Sequence, residues 1–548
     1  MNRDFCRRID RYVKTMTDHY LPGVGGEKII HDPIWGSIVF YPWEVRLIDS
    51  PLFQRLRSIN QVGLADSTYP AALHTRFEHS LGTTAVASRM MEQMLSDAKQ
   101  RDDVKHVIGE KELRLVRLAA LLHDVGHCPY SHLSEAVYGT MPEFAELRKE
   151  VLESAGQEIS PSPHEIFSYL IIVSDAFVSF FYRHVHYPSI KTKAQAKALL
   201  QKAANLVVGA VNVGEDGTKY SYLTSVINGI FDADKLDYTQ RDSYTAGIAL
   251  TYGVERFLLK LALCKTEENG VTDYKLAITS DALSTVEELI FNRSMLYYYM
   301  YRHQKVLAAE AQMRDAIYGL VRVGIIKHPC DFLFLNNHRL DALYQSRKQP
   351  FAEDGSDKTL DSLIRAFPRR TLLKRALELS PDSFEPFGLT KRVLDETLER
   401  IAEKSACEQR VVLTELLDTW QKKTLFPQGV EAYVDFLKAC TTEEYLAERK
   451  TIAARLAQAY ETQGKPVDFD PFDLAIAFPA PLKTALPLTV VNKQREPIDA
   501  GQALKRIERW AETFNLSKWR GYFFVAPHVD RQLAGDVFLQ YLKERCES

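Results

Sequence analysis

The stretch LRLVRLAALLHDVGHCPYSH, residues 113–132, carries the strongest signal for the fold. Its first half has the apolar content of a buried helix, and Gly126 predicts where that helix ends. His123 and Asp124 then fall at the C-terminal end of the helix, where the helix dipole favours a cation. Burying these side chains and His127 without a charged partner would be costly. The stretch therefore predicts a buried helix that ends in a polar site.

Three other segments are rich in His, Asp and Arg. They are HTRFEHSLG (74–82), PHEIF (163–167) and FDADKLDYTQRD (231–242). Imidazole nitrogen and carboxylate oxygen together suit a divalent metal of intermediate hardness. Two histidines and two aspartates, His79, His123, Asp124 and Asp234, would leave positions open for water or a phosphate oxygen. A lone His-Asp pair is more often incidental, but the combination predicts a metal site.

Overall composition narrows the class of protein. The 548 residues carry a net charge of −3, which gives no electrostatic argument for a DNA-coating or membrane-surface protein. Hydrophobic residues make up 46% and charged residues 26%, as in ordinary globular proteins. The seven scattered cysteines include no C-x-x-C pair, so neither a disulfide framework nor a cysteine-zinc site is expected. The charged N-terminus lacks the apolar stretch of a signal peptide, and we expect a cytoplasmic protein with no membrane partner.

Composition also predicts the organisation of the chain. The residues around Asp32, Pro33 and Gly36 predict a small hairpin, and 285–322 reads as one long helix. Near the C-terminus, FDLAIAFPA, LPLTVVNK and WRGYFFVAP predict strands, and GQALKRIERWAETF predicts a helix. We therefore expect a mainly α fold with a small N-terminal β-hairpin and a small C-terminal α/β module. The predicted parts are an N-terminal extension (1–27), a core (28–325), a helical region (326–465) and the α/β module (466–548).

Five motifs in this order carry a family resemblance between residues 30 and 306, about half of the chain. They are HDPIWGSI, FQRLRSINQVG, HTRFEHSLG, HDVGHCPYSH and DADKLDYTQRD. In order and spacing they resemble the HD-domain deoxynucleoside triphosphate (dNTP) triphosphohydrolases. The resemblance implies an HD phosphohydrolase core in which water attacks the α-phosphorus, releasing a deoxynucleoside and intact triphosphate.

The resemblance also implies catalytic roles. By position, the family's metal ligands correspond to His79, His123, Asp124 and Asp234, for manganese, iron or a similar ion, with magnesium as a second ion on the phosphates. The residues that match those lining the α-phosphate are His127, His132 and His164. His132 is the candidate general acid, because a poor alkoxide leaving group needs a proton. Glu135 stands where the family usually has Asp and is one methylene longer.

Substrate contacts follow from the same resemblance. Three basic residues match positions that hold the phosphate tail: Arg76, Lys235 and Arg293. Four more match positions at the sugar and base: Tyr238, Asp242, Gln61 and Tyr301, with Asp242 as acceptor for the 3′ hydroxyl. The ordinary alternative is a solvated helical face for the charged residues and core packing for Tyr301, which lies within the run YYYMY.

Partners and alternatives remain open at this point. The expected substrates are dNTPs, and the expected assembly is a homo-oligomer. Only about 27 residues precede the core and no SAM domain is expected there, so nucleotide activation is not assumed. One alternative is an HD-type phosphohydrolase acting on another nucleotide phosphoester, either a monophosphate or a cyclic nucleotide. Another is a nucleotide- or nucleic-acid-binding regulator, although the net charge and the absence of a basic run argue against non-specific nucleic acid binding.

Overall fold

The computed structural model describes residues 3–21, 23, 26–250, 253–338, 340, 371–380, 428–467 and 469–547. The chain divides into two compact units. The first unit takes its residues from Met1–Leu296, Ile317–Pro350 and Leu486–Ala503, and the second from Tyr297–Ala316, Phe351–Ala485 and Leu504–Ser548. The domain boundaries predicted at residues 27, 325 and 465 remain predictions. The predicted helical region 326–465 lies largely outside the described residues.

The first unit is mainly helical, as the apolar periodicity of its sequence predicts. Its helices are α1 (Arg3–Thr17), α2 (Pro42–Ile48), α3 (Pro51–Gln54), α4 (Arg76–Ala98), α5 (Glu110–Leu122), α6 (His132–Tyr138), α7 (Pro142–Ala155), α8 (Pro163–Val173), α9 (Asp175–Phe180), α10 (Lys193–Val207), α11 (Ser221–Ile227), α12 (Ala233–Ala246), α13 (Val254–Leu258) and α14 (Leu283–Leu296). Two further helices contribute residues to both units: α15 (Gln304–Arg322) and α18 (Gly501–Ser517).

Short strands flank the helices of the first unit. The antiparallel hairpin β1 (Lys28–Asp32) and β2 (Gly36–Phe40) confirms the predicted N-terminal hairpin. A second sheet pairs β3 (Leu261–Glu268) antiparallel with β4 (Val271–Thr279), and β7 (Thr489–Val491) lies parallel to β4. The hairpin turn at residues 32–36 belongs to the same unit as α4 and α12.

The helix that carries the first site residues ends earlier than predicted. Helix α5 stops at Leu122, with His123 as its C-cap, rather than at Gly126. Gly126 does not adopt a left-handed conformation, since it is absent from the positive-φ residues. Instead, a Cβ atom at Gly126 would overlap the backbone of His164 and Ser168 in α8. Glycine is required here because the loop after α5 packs directly on α8.

A long predicted helix is interrupted, and helix α3 is short. The predicted helix 285–322 is α14 followed by a π-helical turn, Tyr297–Tyr301, and then α15. The turn coincides with the aromatic run YYYMY, and single π-helical turns of this kind are frequent at functional sites. Helix α3 likewise gives way to a 3-10 turn, Arg55–Ser58, and then extended chain, because residues 59–61 form backbone hydrogen bonds with residues 74–76.

The second unit contains a three-stranded antiparallel sheet and helices that cover it. The strand order is β5 (Lys374–Leu379), β8 (Gly521–Val525) and β6 (Leu474–Ala477). The remaining helices are α16 (Gln428–Ala439), α17 (Thr442–Thr462) and α19 (Arg531–Glu547). Its core is aromatic, with Trp519, Phe523 and Phe538 almost fully buried. A small C-terminal α/β region is thereby confirmed, although its predicted strand β7 belongs to the first unit.

Within the described residues, no single helix is long and apolar enough to span a membrane. Only α8 together with the segment Asp175–Val185 reaches that length and composition, as a pair bent by 48°.

A buried ion pair in the second unit leads to a stability prediction. The guanidinium group of Arg449 donates to both carboxylate oxygens of Asp315, at 2.7 and 2.9 Å, and both side chains are almost fully buried. Asp315→Asn would leave a buried charge without its partner, and we expect a loss of about 3 to 5 kcal/mol in the free energy of unfolding of this unit. Urea unfolding followed by circular dichroism would measure it. The exposed pair Arg455–Glu544 supplies the control, since Glu544→Gln should cost far less. Equal effects of the two changes would contradict the prediction.

Candidate active site and metal centre

Three helices of the first unit bring the predicted metal ligands together. Helix α4 carries His79, the C-cap of α5 is His123, Asp124 follows it, and α12 carries Asp234 in its first turn. Thr75 caps the start of helix α4. Its side-chain hydroxyl accepts from the backbone N–H of Phe77, and its backbone N–H donates to the side chain of Glu78. Helix α12 is capped by Asp232, which accepts from the backbone N–H of Lys235 at 2.7 Å. The caps hold the first turns, and with them His79 and Asp234, in defined positions.

Three of the four side chains, His79, His123 and Asp234, have ligand atoms that all lie within 4.8 Å of one another, as a single ion requires, whereas Asp124 forms a second such group with His127 and His164. His79 Nε2 lies 2.9 Å from Asp234 Oδ1 and 3.3 Å from His123 Nε2. Asp124 Oδ1 lies 3.3 Å from His123 Nε2, and Asp124 Oδ2 lies 3.7 Å from His79 Nε2. Ligands about 2.1 Å from a common ion are separated by about 3.0 Å when adjacent and about 4.2 Å when opposite. The two imidazole nitrogens and the Asp234 carboxylate suit a divalent transition metal, and Asp124 lies within 3.7 Å of both histidines.

Charges in the site favour a cation. Burial opposes the ionised form of Asp124, but Arg76 and the nearby histidines outweigh it and hold the pKa of Asp124 well below its usual range. Burial also opposes charge on His79, yet Asp234 and Asp237 raise the pKa of His79 to about 10. The pKa of Asp234 is lowered correspondingly, against the cost of burial, by His79 and His123. A metal ion that binds here must displace the His79 proton, so metal affinity should rise with pH.

A second cluster joins three histidines through one carboxylate. Glu135 Oε1 lies 2.9 Å from His164 Nδ1 and 3.2 Å from His127 Nδ1, and Glu135 Oε2 lies 3.3 Å from His132 Nδ1. The rings of His127 and His164 stack at a centroid distance of 3.8 Å. The additional methylene of Glu135, relative to the family's usual Asp, thus leaves its carboxylate close to all three rings.

The three histidines differ in charge and exposure. Burial, together with the charges of Arg76 and His164, lowers the pKa of His127 to about 4, so His127 is neutral near pH 7. Burial acts in the same direction on His164, but Glu135 outweighs it and raises the pKa of His164 to about 9. The His164–Glu135 pair therefore stabilises the fold fully below about pH 6.5, and this contribution is lost as the pH rises through 9. The side chain of His132 is 70% exposed, which leaves it open to a substrate.

A strained turn carries His132 into this position. The two residues before it, Tyr130 and Ser131, have φ values of 56° and 51°, which non-glycine residues rarely adopt. Hydrogen bonds hold the turn from both sides: the backbone N–H of Tyr130 donates to Asn337 Oδ1, and the Ser131 hydroxyl donates to the carbonyl of Asn60. The backbone before the candidate acid is thereby held in a conformation that costs energy.

The side chain of Arg76 is buried and forms hydrogen bonds within the first unit. Its guanidinium group donates to Asp124 Oδ2 at 2.9 Å, to the Ser131 hydroxyl at 3.0 Å and to the Gln61 carbonyl at 3.3 Å. These contacts orient Asp124, a function that the sequence did not indicate. The predicted role of Arg76 on the phosphate tail stays a prediction.

The other basic candidates lie at the α12 end of the site. Lys235 donates to Asp232 at 2.5 Å, and its side chain is 29% exposed. Burial opposes its charge, but Asp232 and Asp234 outweigh this effect and raise the pKa of Lys235. Arg293, in the last turn of α14, lies close enough for its positive charge to oppose that of Lys235. Two cations close to each other, one of them interacting with Asp234, are suited to a polyanion.

The candidate sugar residues are grouped on α12 and the chain before α4. Asp242 is buried, and its Oδ1 lies 2.7 Å from Nε2 of His74, a residue that the sequence did not single out. Tyr238 is half-buried one turn earlier on α12. The side-chain oxygen of Gln61 is buried without a hydrogen-bond partner among the described residues. An unpaired buried acceptor is costly unless a donor from a ligand satisfies it, which agrees with a substrate contact.

Tyr301 belongs to the second unit. It ends the π-helical turn, where its ring meets the edge of Tyr297 at a centroid distance of 4.9 Å. Its predicted contact with the sugar stays a prediction.

Sequence reasoning missed Asp237, which contacts Nδ1 of His79, and the partners that hold Asp237 in place. Asp237 accepts from His79 Nδ1 at 2.7 Å and from Arg241 through both of its oxygens. A signal was available, because Asp237 and Arg241 are four residues apart on a helix and can pair. The third partner, Trp35, is 202 residues away in the chain and could only be placed by the fold.

Comparisons with known proteins cover this part of the chain. The family model described as HD domain matches residues 76–238, the segment from Arg76 to Tyr238 that contains the four metal-ligand candidates. The chain is 28% identical over 293 residues to the deoxynucleoside triphosphate triphosphohydrolase SAMHD1 of Bos taurus, which covers 53% of this chain and 47% of that protein. For SAMHD1 of Homo sapiens the identity is 25% over 307 residues, covering 53% and 44%.

A relative of unassigned function matches as well. The uncharacterized protein MJ1154 of Methanocaldococcus jannaschii is 31% identical over 290 residues, covering 53% of this chain and 49% of that protein. The chain thus spans about half the length of the curated relatives it matches. The chain therefore carries an HD domain, and its resemblance to the HD-domain dNTP triphosphohydrolases is confirmed over about half of its length.

Proposed function

We propose that this chain is a metal-dependent phosphohydrolase that cleaves dNTPs into deoxynucleoside and triphosphate. The observation that carries the proposal is the contact between two clusters: His127 Nε2 lies 3.3 Å from Asp124 Oδ1, so the histidine cluster adjoins the metal ligands. Cleavage of a phosphoester needs both charge neutralisation and a proton donor, and the two clusters offer these at adjacent positions.

The metal site supplies the first requirement. A divalent ion, when bound, withdraws charge from a phosphoryl oxygen and promotes the ionisation of water. The residues proposed to hold it are His79, His123, Asp124 and Asp234, and manganese or iron fits this mixed nitrogen and oxygen set. Magnesium is proposed only as a second ion on the phosphates.

The histidine cluster supplies the second requirement. His132 is proposed as the general acid for the 5′ oxygen, because it is exposed while Glu135 holds its Nδ1 and leaves Nε2 open to the substrate. His127 and His164 are proposed to face the α-phosphate. His164 is protonated near pH 7, so it adds a positive charge where negative charge develops.

Analysis of reaction products tests the proposal. Purified protein would be incubated with each dNTP, singly and mixed, with Mn²⁺, Fe²⁺, Co²⁺ or Mg²⁺, and the products separated by ion-exchange chromatography. We expect deoxynucleoside and triphosphate in equal amounts. Orthophosphate from a nucleoside monophosphate, or opening of a cyclic nucleotide, without triphosphate from dNTPs, would replace the proposal with the other phosphoester activity. Binding of nucleotides without any hydrolysis would indicate a regulator.

A dideoxynucleotide comparison tests the proposed sugar contact. If Asp242 accepts from the 3′ hydroxyl, a hydrogen bond to a charged group is at stake, about 1.5 to 3 kcal/mol. We expect Asp242→Ala to lower kcat/KM for a dNTP by about 10- to 100-fold and to change it little for the matching 2′,3′-dideoxynucleotide. His74→Gln, which disturbs only the partner of Asp242, should give a smaller loss with the same selectivity. Equal losses for both nucleotides would show that Asp242 does not contact the 3′ hydroxyl.

A homo-oligomeric assembly and contacts of Tyr238 and Tyr301 with the sugar and base are proposed from the resemblance alone. A contact of Gln61 is proposed from the resemblance and from its buried, unpaired side-chain oxygen. A cytoplasmic location is proposed from the charged N-terminus and the scattered cysteines. Arg76, Lys235 and Arg293 are proposed to bind the phosphate tail, for which the grouping of Lys235 and Arg293 beside the metal ligands is the support.

A further inference from the structure

We propose that Asp237 is a positioning residue of the metal centre, and that the turn of the N-terminal hairpin keeps Asp237 in place. In this arrangement Asp237 holds His79 in the tautomer and orientation in which Nε2 would be free to bind an ion. The inference rests on the metal-dependent function proposed above. It concerns the hairpin at residues 28–40, which contains the motif HDPIWGSI but has no side chain to which the resemblance assigns a role.

His79 contacts Asp237 through its Nδ1 atom. Its Nδ1 lies 2.7 Å from Asp237 Oδ2, and its Nε2 faces Asp234 and His123. Because an ionised carboxylate only accepts hydrogen bonds, Nδ1 must carry the proton that it donates to Asp237. In the neutral ring, Nε2 is then the nitrogen with a free lone pair, as a metal ligand requires. A carboxylate behind a metal-binding histidine both orients the ring and makes it a stronger ligand.

Asp237 is itself immobilised by hydrogen bonds. Each of its oxygens accepts two hydrogen bonds. Oδ2 accepts from His79 and from Arg241 Nε, and Oδ1 accepts from Arg241 and, at 2.5 Å, from the indole N–H of Trp35. A carboxylate offers about four acceptor positions, so all of them are in use. Rotation of the Asp237 side chain would break several charge-assisted bonds at once.

Two sets of contacts connect the Asp237 carboxylate to the hairpin. Trp35 lies in the turn between β1 and β2 and is 6% exposed. Asp32, at the start of the turn, accepts from the backbone N–H groups of Ile34 and Trp35 through Oδ1. Its Oδ2 accepts from Arg241 at 2.9 Å. The turn therefore contacts Asp237 twice, directly through the Trp35 indole and indirectly through Asp32 and Arg241.

Helix α4 leaves room for this network because Gly82 lies one turn after His79. A Cβ atom at Gly82 would overlap Asp237 Oδ1 and the guanidinium group of Arg241. Glycine is less favourable than alanine in a helix interior. It is found at Gly82, where the Asp237–Arg241 pair approaches α4 too closely for a side chain.

The experiment measures metal affinity rather than hydrolysis. The metal-free full-length protein is titrated with Co²⁺, whose visible absorption reports the ligands around the ion. We expect Asp237→Asn to raise the Co²⁺ dissociation constant by about 10- to 100-fold and to shift the absorption bands. Trp35→Phe keeps an aromatic ring in the turn and removes only the indole donor, so a rise of about two- to tenfold is expected, the effect of one hydrogen bond.

Asp315→Asn is the matched control, because Asp315 forms an equally buried, two-point pair with Arg449 in the second unit. It should lower the thermal unfolding temperature and leave Co²⁺ affinity at the wild-type value. If Asp237→Asn lowers the unfolding temperature but binds Co²⁺ like the wild type, Asp237 is only structural and the inference is wrong. If Asp237→Asn does not fold, Trp35→Phe decides, and an unchanged dissociation constant overturns the inference.

The outcomes also separate this inference from the proposed function. Wild-type protein that binds Co²⁺ and shows the expected differences between variants, but hydrolyses no dNTP, would refute the dNTPase proposal and support the role of Asp237. Wild-type protein that binds no Co²⁺ would overturn the inference.

Discussion

Removal of two ligands together, by His123→Ala with Asp124→Asn, should abolish transition-metal binding and lower dNTP hydrolysis by about four orders of magnitude. The reason is that the ion supplies several kcal/mol of charge stabilisation in the transition state, and each 1.36 kcal/mol is worth a factor of about ten. Elemental analysis of the purified variant measures the metal, and triphosphate release measures the rate. Wild-type metal content in the double variant would refute the ligand assignment.

The choice of substitutions follows from the structure. Asp124 is buried and pairs with Arg76, so Asp124→Ala would leave a buried arginine without its carboxylate partner. Asp124→Asn removes the charge and keeps a hydrogen-bond acceptor for Arg76. Asp234→Asn provides a second test, because the Asp234 side chain is 32% exposed and its loss disturbs the core less. Asp281→Asn, at the exposed pair with Lys260, is the control and should retain metal and activity.

His132→Ala should lower turnover by about two to four orders of magnitude, the usual range for a lost general acid, with little change in metal content. The structure supports this separation, because His132 contacts Glu135 and none of the four metal ligands within ion-pair distance among the described residues. Single-turnover measurements with saturating Mn²⁺ and a dNTP would give the rate of the chemical step. His106→Ala, which removes an exposed histidine before α5, should leave that rate unchanged.

Near-normal turnover of His132→Ala would assign the proton to another group. His127 is neutral near pH 7 and is therefore a poor proton donor, whereas His164 is protonated and can donate a proton. His164 would therefore be the next candidate, and His164→Ala would then show the loss expected for His132.

Local sequence determined the elements that carry the site. The apolar run before His123 was recognisable as a buried helix because helix periodicity acts over a few residues. The predicted hairpin, the mainly α class and the C-terminal strands are present for the same reason. Ordered motifs then allowed the HD domain to be identified without the structure, since His79, His123, Asp124 and Asp234 keep the family's residue types and spacing.

Contacts between distant segments could not be predicted from the local sequence. The end of α5 at Leu122, rather than at Gly126, depends on the packing of the following loop against α8. The π-helical turn at Tyr297–Tyr301 likewise interrupts a helix that periodicity alone predicts to be continuous. Helix propensity is weak compared with packing, so tertiary contacts decide where such elements stop.

The sequence by itself determined which side chains could bind a metal and move a proton, because their chemistry is a property of residue type and of short spacing along a helix. Only the tertiary structure decided which carboxylate serves which imidazole. Glu135 reaches three histidines, Arg76 is bound to Asp124, and Asp237 is held by Trp35 of a hairpin about 200 residues earlier. Burial makes these pairings necessary, since a charge removed from water requires a partner, and the fold determines which partner is within reach.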